Sequence, residues 1–168
     1  MHRFAVVLPL APMALGERYA VRDWPLHVTV TPVFATRATT PMLAARMGEV
    51  AAQHGPVDAV AGPPELFGPR HDTPVALLDC PEVRAMHAVL TDALAPFGIA
   101  FDSPGYSGEG FRPHVTATSK GAAAEGQKLW LAQLALVDME PGPGPGRPQV
   151  VAVAALDART PAVSTEGV

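Results

Sequence analysis

The chain has 168 residues, of which 48% are apolar and 17% charged, with a formal net charge of −4. Such a length suits one compact unit with ample core material and excludes disorder across the chain as a whole. The acidic balance also offers no general grip on a long nucleic-acid polymer, whose binding rests on many Lys and Arg contacts to phosphates, so a small or short ligand is expected.

Taken in chain order, the first apolar run, Phe4–Leu8, reads as a strand. It begins somewhat like a signal peptide, but Pro9 and Pro12 interrupt it far short of membrane-spanning length, and no membrane partner is expected. Apolar and β-branched residues between turn signals predict further strands near Leu26–Phe34, Val57–Leu66, Val75–Asp79, Pro113–Thr118, Lys128–Met139 and Val150–Leu156. Helical spacing appears at Pro41–His54, through Met42, Leu43, Met47 and Val50, and at Pro81–Phe97, through Val83, Met86, Val89, Leu90, Leu94 and Phe97. Each begins at a proline and ends near a glycine, Gly55 or Gly98. The order of strands and helices nearly repeats itself and indicates a mixed α+β class. Pro141–Pro148 alternates Pro and Gly and is expected to be a loop, and residues 159–168 a flexible tail, leaving 1–158 as a single domain. The lone cysteine, Cys80, excludes an internal disulfide and fits a reducing interior, so a cytoplasmic location is expected.

Two short segments stand out. His27-Val28-Thr29-Val30-Thr31 and His114-Val115-Thr116-Ala117-Thr118 match at four of five positions, and both fall in expected strands. Because a strand alternates its faces, His27, Thr29 and Thr31 share one side and Val28 and Val30 the other, with the same split in the second segment. An amphipathic strand explains one such stripe, since Thr favours strands. It does not explain the same ordered pair of His and Thr twice. Cleaving a phosphodiester needs one group to take a proton from the nucleophile and another to give one to the leaving oxygen, and imidazole can do both near neutral pH. A hydroxyl two residues along can donate to a non-bridging oxygen, so two His/Thr pairs facing each other would bracket one phosphate without a metal or other cofactor.

The two His-x-Thr motifs, within Pro25-Leu26-His27-Val28-Thr29-Val30 and Phe111-Arg112-Pro113-His114-Val115-Thr116, resemble those of the two-histidine phosphoesterase superfamily, which includes 2′,5′ RNA ligase-like proteins and cyclic nucleotide phosphodiesterases. The resemblance spans nearly the whole chain. It implies a bilobal fold, with two pseudo-symmetric antiparallel-type β-sheet lobes backed by helices around a central cleft. It also implies His27 and His114 as the acid/base pair and Thr29 and Thr116 as phosphate ligands. Ala117 stands where the family usually has a bulky apolar residue.

Four residues flanking the motifs are candidates for binding the rest of a nucleotide. Tyr106 and Phe111 border the Gly-rich approach Ser103–Gly110 and could stack on a base, although Phe111 could equally open a strand and pack in the core. Trp24 could stack and Arg112 could reach a second phosphate, against the ordinary readings of a core Trp and a strand-edge Arg. Glu65, Asp72 and Glu109 could orient a catalytic imidazole, while His54, His71 and His87 carry no zinc-site spacing and no assigned role. The expected function is hydrolysis of a 2′,5′-linked or 2′,3′-cyclic phosphate of an RNA-type nucleotide or short oligonucleotide, cyclic oligonucleotide signals included. The alternatives are a silent nucleotide-binding module and a 2′,5′ RNA ligase.

Overall fold

The computed structural model describes residues 1–142 and 146–158. Its elements are β1 (His2–Pro9), β2 (His27–Thr36), α1 (Thr40–Ala51), β3 (Val57–Val60), β4 (Pro64–Phe67), β5 (Thr73–Leu77), α2 (Pro81–Leu94), β6 (Ala100–Phe101), β7 (His114–Thr116), β8 (Lys128–Leu131), β9 (Gln133–Asp138) and β10 (Gln149–Ala155). Every strand pair among them is antiparallel, so the α+β class expected from the sequence is the one observed. The main sheet runs β10-β9-β1-β2-β7-β5-β4, with β6 also on β2, and a separate ribbon pairs β3 with β8. The β2–β7 ladder is therefore the seam between a β10-β9-β1-β2 half and a β7-β5-β4 half.

The helices cover one face. Helix α1 lies against β9 and β10 and α2 against β2, and the two helices also touch each other. Helix α1 starts where Thr39 Oγ1 accepts the Met42 N–H at 3.5 Å, and Pro41 sits in its first turn. It buries Leu43, Met47 and Val50. Helix α2 buries Val83, Met86, His87, Leu90 and Leu94, a stripe at helical spacing that includes one imidazole. A short 3₁₀ turn over Ala95–Phe97 follows and ends at Gly98, whose φ of 67° is left-handed backbone that glycine adopts at low cost.

Two expected strands are each broken in the structure. The stretch Val57–Leu66 divides around Gly62, whose N–H donates to the Leu77 carbonyl at 2.7 Å. A Cβ at Gly62 would come within 2.9 Å of that oxygen. Lys128–Met139 likewise divides at Ala132. In both cases one half joins the ribbon and the other the main sheet, a change of partner that an unbroken apolar run does not reveal. The two-residue β6 was not expected at all, because its pairing of Phe34 with Phe101 is a long-range contact. Within the expected Pro141–Pro148 loop, the described residues belong to no strand or helix, and residues 143–145 lie outside the described residues. The expected tail, 159–168, lies outside them too. No helix among the described residues is long and apolar enough to cross a membrane.

Phe34 is fully buried, with its ring 6.1 Å from Phe4 and edge-on to Phe101 at 6.4 Å. Deleting such a ring leaves a cavity as well as losing its transfer free energy. Phe34→Ala should destabilise the protein by about 3–5 kcal/mol, read as a shift in the midpoint of denaturant unfolding.

Candidate active site

The site is built on the seam. Val28 of β2 pairs with Val115 of β7 in antiparallel register. Continuing that register sets His27 opposite Thr116 and Thr29 opposite His114, because residues one step on either side share the other face of the sheet. Val28 and Val115 are fully buried toward the helices, while the two His and two Thr are only part-buried. The structure thus brings the two motifs together as a pair related by local two-fold symmetry. His27, Thr29 and Thr116 line a cavity of about 220 Å³, together with Trp24, Val33 and Thr118. His114 is not part of that lining and stands next to Thr29 through the ladder.

Each imidazole is anchored in the same way. The ring nitrogen Nδ1 of His27 is 2.9 Å from the Pro25 carbonyl, and Nδ1 of His114 is 2.7 Å from the Arg112 carbonyl. A carbonyl only accepts, so each Nδ1 carries the proton and each neutral ring keeps its lone pair on Nε2. The residue two places before each His therefore sets its tautomer. Among the described residues no carboxylate bonds either ring, and the expected orienting role of Glu65, Asp72 or Glu109 is filled by main chain instead. Each ring also meets an aromatic neighbour. Trp24 lies 4.8 Å from His27 between ring centroids, and Phe67 meets His114 edge-on at 4.7 Å.

Burial dominates the electrostatics. It pushes the pKa of both imidazoles down, against the Pro25 and Arg112 carbonyls, which favour the protonated rings. Like charge adds to this: His114 lowers His27, and the Arg112 guanidinium lowers His114. Both rings are consequently biased toward the neutral form at neutral pH.

The four flanking candidates fare differently. Phe111 is 5% exposed and stacks face to face on His87 at 4.0 Å, so it is a core residue and its ring is not available to a base. The reason is parity, since Phe111 shares the helix-facing side with Pro113 and Val115. Tyr106 is exposed on its loop and does not line the cavity. Trp24 does line it, but it is 5% exposed, which leaves no open face for stacking. Arg112 is exposed, ion-paired to Glu65 at 2.7 Å, with its guanidinium 5.0 Å above the Phe67 ring. Thr31 leaves the polar stripe: a β-bulge between β1 and β2 turns it inward, where its Oγ1 accepts the Val6 N–H at 2.9 Å. Thr118 keeps its place on the cavity wall, with its hydroxyl donated to the Trp24 carbonyl at 2.7 Å.

Phe67, the Pro25 carbonyl and Trp24 as a ring support were not found from sequence. Nothing local marks Phe67, because it reaches His114 only through β4 and β5. Among the described residues no group of three or more His, Cys, Asp or Glu is placed to hold a metal ion.

A short antiparallel seam thus sets two His-x-Thr pairs side by side. Residues 8–140 match the model of the 2′-5′ RNA ligase superfamily. The chain belongs to that superfamily, and so to the two-histidine phosphoesterases. No curated protein matches its sequence. Among solved structures, TT0787 of Thermus thermophilus is similar at a TM-score of 0.60 and 20% identity, covering 95% of this chain and 100% of that one. LigT of E. coli complexed with NADP+ is similar at 0.60 and 13%, covering 92% and 98%. LigT complexed with 3′-AMP gives 0.56 and 14% over the same shares. At these identities the likeness is one of fold.

The mutual influence of the rings can be read directly. In His114→Ala, removal of the like charge and the opening of space beside His27 act in the same direction. The His27 Cε1–H resonance should therefore titrate at higher pH in this variant than in the wild type.

Proposed function

We propose that this chain hydrolyses 2′,5′-linked or 2′,3′-cyclic phosphates of RNA-type nucleotides or short oligonucleotides, cyclic oligonucleotides included, with His27 and His114 as acid and base and no metal. The observation that carries this reading is the β2–β7 register, which sets two His/Thr pairs side by side with both Nε2 atoms free of partners among the described residues. On a 2′,3′-cyclic phosphate, one Nε2 takes a proton from water as the water oxygen bonds to phosphorus. The other, protonated, gives its proton to the ribose oxygen whose bond to phosphorus breaks. The hydroxyls of Thr29 and Thr116 donate to the non-bridging oxygens, where negative charge develops. Arg112, tethered by Glu65 beside His114, would meet the remainder of the substrate. LigT of E. coli has been solved with 3′-AMP, NADP+ and ATP, which supports a ligand of nucleotide size.

The same chemistry with a ribose 5′-hydroxyl in place of water forms a 2′,5′ bond, and the superfamily's description supports that second reading. The net charge of −4 favours the hydrolytic one, since long RNA would find few cationic contacts. The domain would act in the cytoplasm, in keeping with its free, buried Cys80.

Turnover should persist in EDTA on 2′,3′-cyclic mononucleotides, 2′,5′-linked oligoadenylates or cyclic di- and trinucleotides, with products resolved by chromatography. His27→Ala or His114→Ala should lower kcat by roughly 10²–10⁴-fold with the fold intact. Thr29→Ala or Thr116→Ala should cost less, about 1–3 kcal/mol of transition-state stabilisation, because each removes one donor of several. Activity within a few-fold of wild type in the double His variant would refute the assignment.

The pH dependence follows from the direction of the shifts. The base is lost as pH falls and the acid as pH rises, and both pKa values are held below the ordinary imidazole value. The kcat/KM profile should therefore be a bell centred on the acid side of about 6.5. Each single His variant should remove a different limb.

A further inference from the structure

His87 lies outside the cleft, 3% exposed, on the buried stripe of α2. Both of its ring nitrogens are engaged. Nδ1 is 2.6 Å from the Val30 carbonyl of β2, and Nε2 receives the Gly108 N–H at 3.0 Å. A carbonyl must accept and an amide must donate, so only the neutral ring with its proton on Nδ1 satisfies both bonds. One turn earlier, Arg84 donates to the Phe111 carbonyl at 3.1 Å, and the Phe111 ring stacks flat on His87.

These contacts join the two segments that carry the site. Val30 follows His27 on β2, and Phe111 precedes Arg112, whose carbonyl holds the Nδ1 of His114. The intervening segment leaves little slack. Pro104–Tyr106 and Gly108–Gly110 form consecutive 3₁₀ turns, and a Cβ at Gly110 would collide with the Gly105 carbonyl. A displacement at Gly108 would have only a short path along the chain, through Phe111, to the Arg112 carbonyl that holds His114.

We propose that His87 is a positioning residue which sets His114 against His27, and that its protonation releases the Gly108–Phe111 segment and disengages the site. The inference rests on the acid/base reading of His114 given above. A proton on Nε2 would put two donors face to face, so the Gly108 amide loses its acceptor while the Val30 bond survives. The ring borders a cavity of about 350 Å³ that offers water and protons a route to it. The charged groups lining that cavity are Arg84 and Asp92 of α2 and Glu109 of the loop, while β2 and Phe111 present none. Burial lowers the pKa of His87, against the Val30 carbonyl, which favours the protonated ring, so the latch is closed at neutral pH and opens as pH falls below the ordinary imidazole value.

The test combines NMR with kinetics on the wild type, His87→Gln and His87→Leu, using 2′,3′-cyclic AMP as the probe and thermal melting to confirm folding. A Gln amide can donate to Val30 and accept from Gly108 but does not titrate. In the wild type the Gly108 amide resonance should move with the titration of the His87 ring, and in His87→Gln it should not move. His87→Leu should lose roughly 10–100-fold in kcat at neutral pH with a smaller change in KM, as expected when a catalytic group is displaced. His87→Gln should restore most of that activity and extend it further into acid than the wild type.

The proposal is overturned if the Gly108 amide ignores the His87 titration. It is also overturned if a folded His87→Leu keeps wild-type kcat, KM, pH profile and His114 ring resonances. Should the wild type fail to turn over the probe, the proposed substrate class is at fault, and the Gly108 titration with the His114 shifts in His87→Leu still decides the latch. If His87→Leu does not fold, the wild type and His87→Gln decide it alone.

Discussion

The site depends on one short piece of antiparallel pairing, Val28 against Val115. Those valines anchor the seam from the helix side, and the pleat then leaves the neighbouring His and Thr of each strand no choice but the opposite face. A slip of β7 by one residue against β2 would turn His114 and Thr116 under the helices and expose Val115. The hydrophobic penalty for that slip is what makes the register, and hence the chemistry, well specified.

Around the seam, main chain does much of the work usually given to side chains. The Pro25 and Arg112 carbonyls set the tautomer of each ring, and Trp24 and Phe67 restrict where each ring can lie. The carbonyls favour the protonated rings while desolvation opposes them, and desolvation is the larger effect. The outcome biases both imidazoles toward the neutral form. The two halves of the site are nonetheless unequal. His114 lies beside a guanidinium paired to Glu65, and His27 lies beside an indole whose Nε1 has no partner among the described residues.

The same distinction between local pattern and long-range contact divides what could be read from the chain. Strand alternation, helix stripes and the repeated His-x-Thr pair are local, so the α+β class, both helices and the four central residues were legible. Where the reading failed, distant partners intervened. The expected strands Val57–Leu66 and Lys128–Met139 change sheets midway, because their two halves pair with different strands. Thr31 was expected on the same face as His27 and Thr29 and is turned inward by a bulge in the β1–β2 ladder.

Within an unbroken strand or helix the sequence by itself determined which residues share a face, since side-chain direction there follows from spacing. It thereby determined that each His stands with a Thr. Only the tertiary structure decided that the two motifs are neighbours and that carbonyls rather than carboxylates hold the rings. It alone also decided that Phe67 borders His114 and that His87 ties β2 to the loop before β7. Each of these is a contact between residues far apart in the chain, and such contacts are set by how buried surfaces fit together, which local periodicity does not encode.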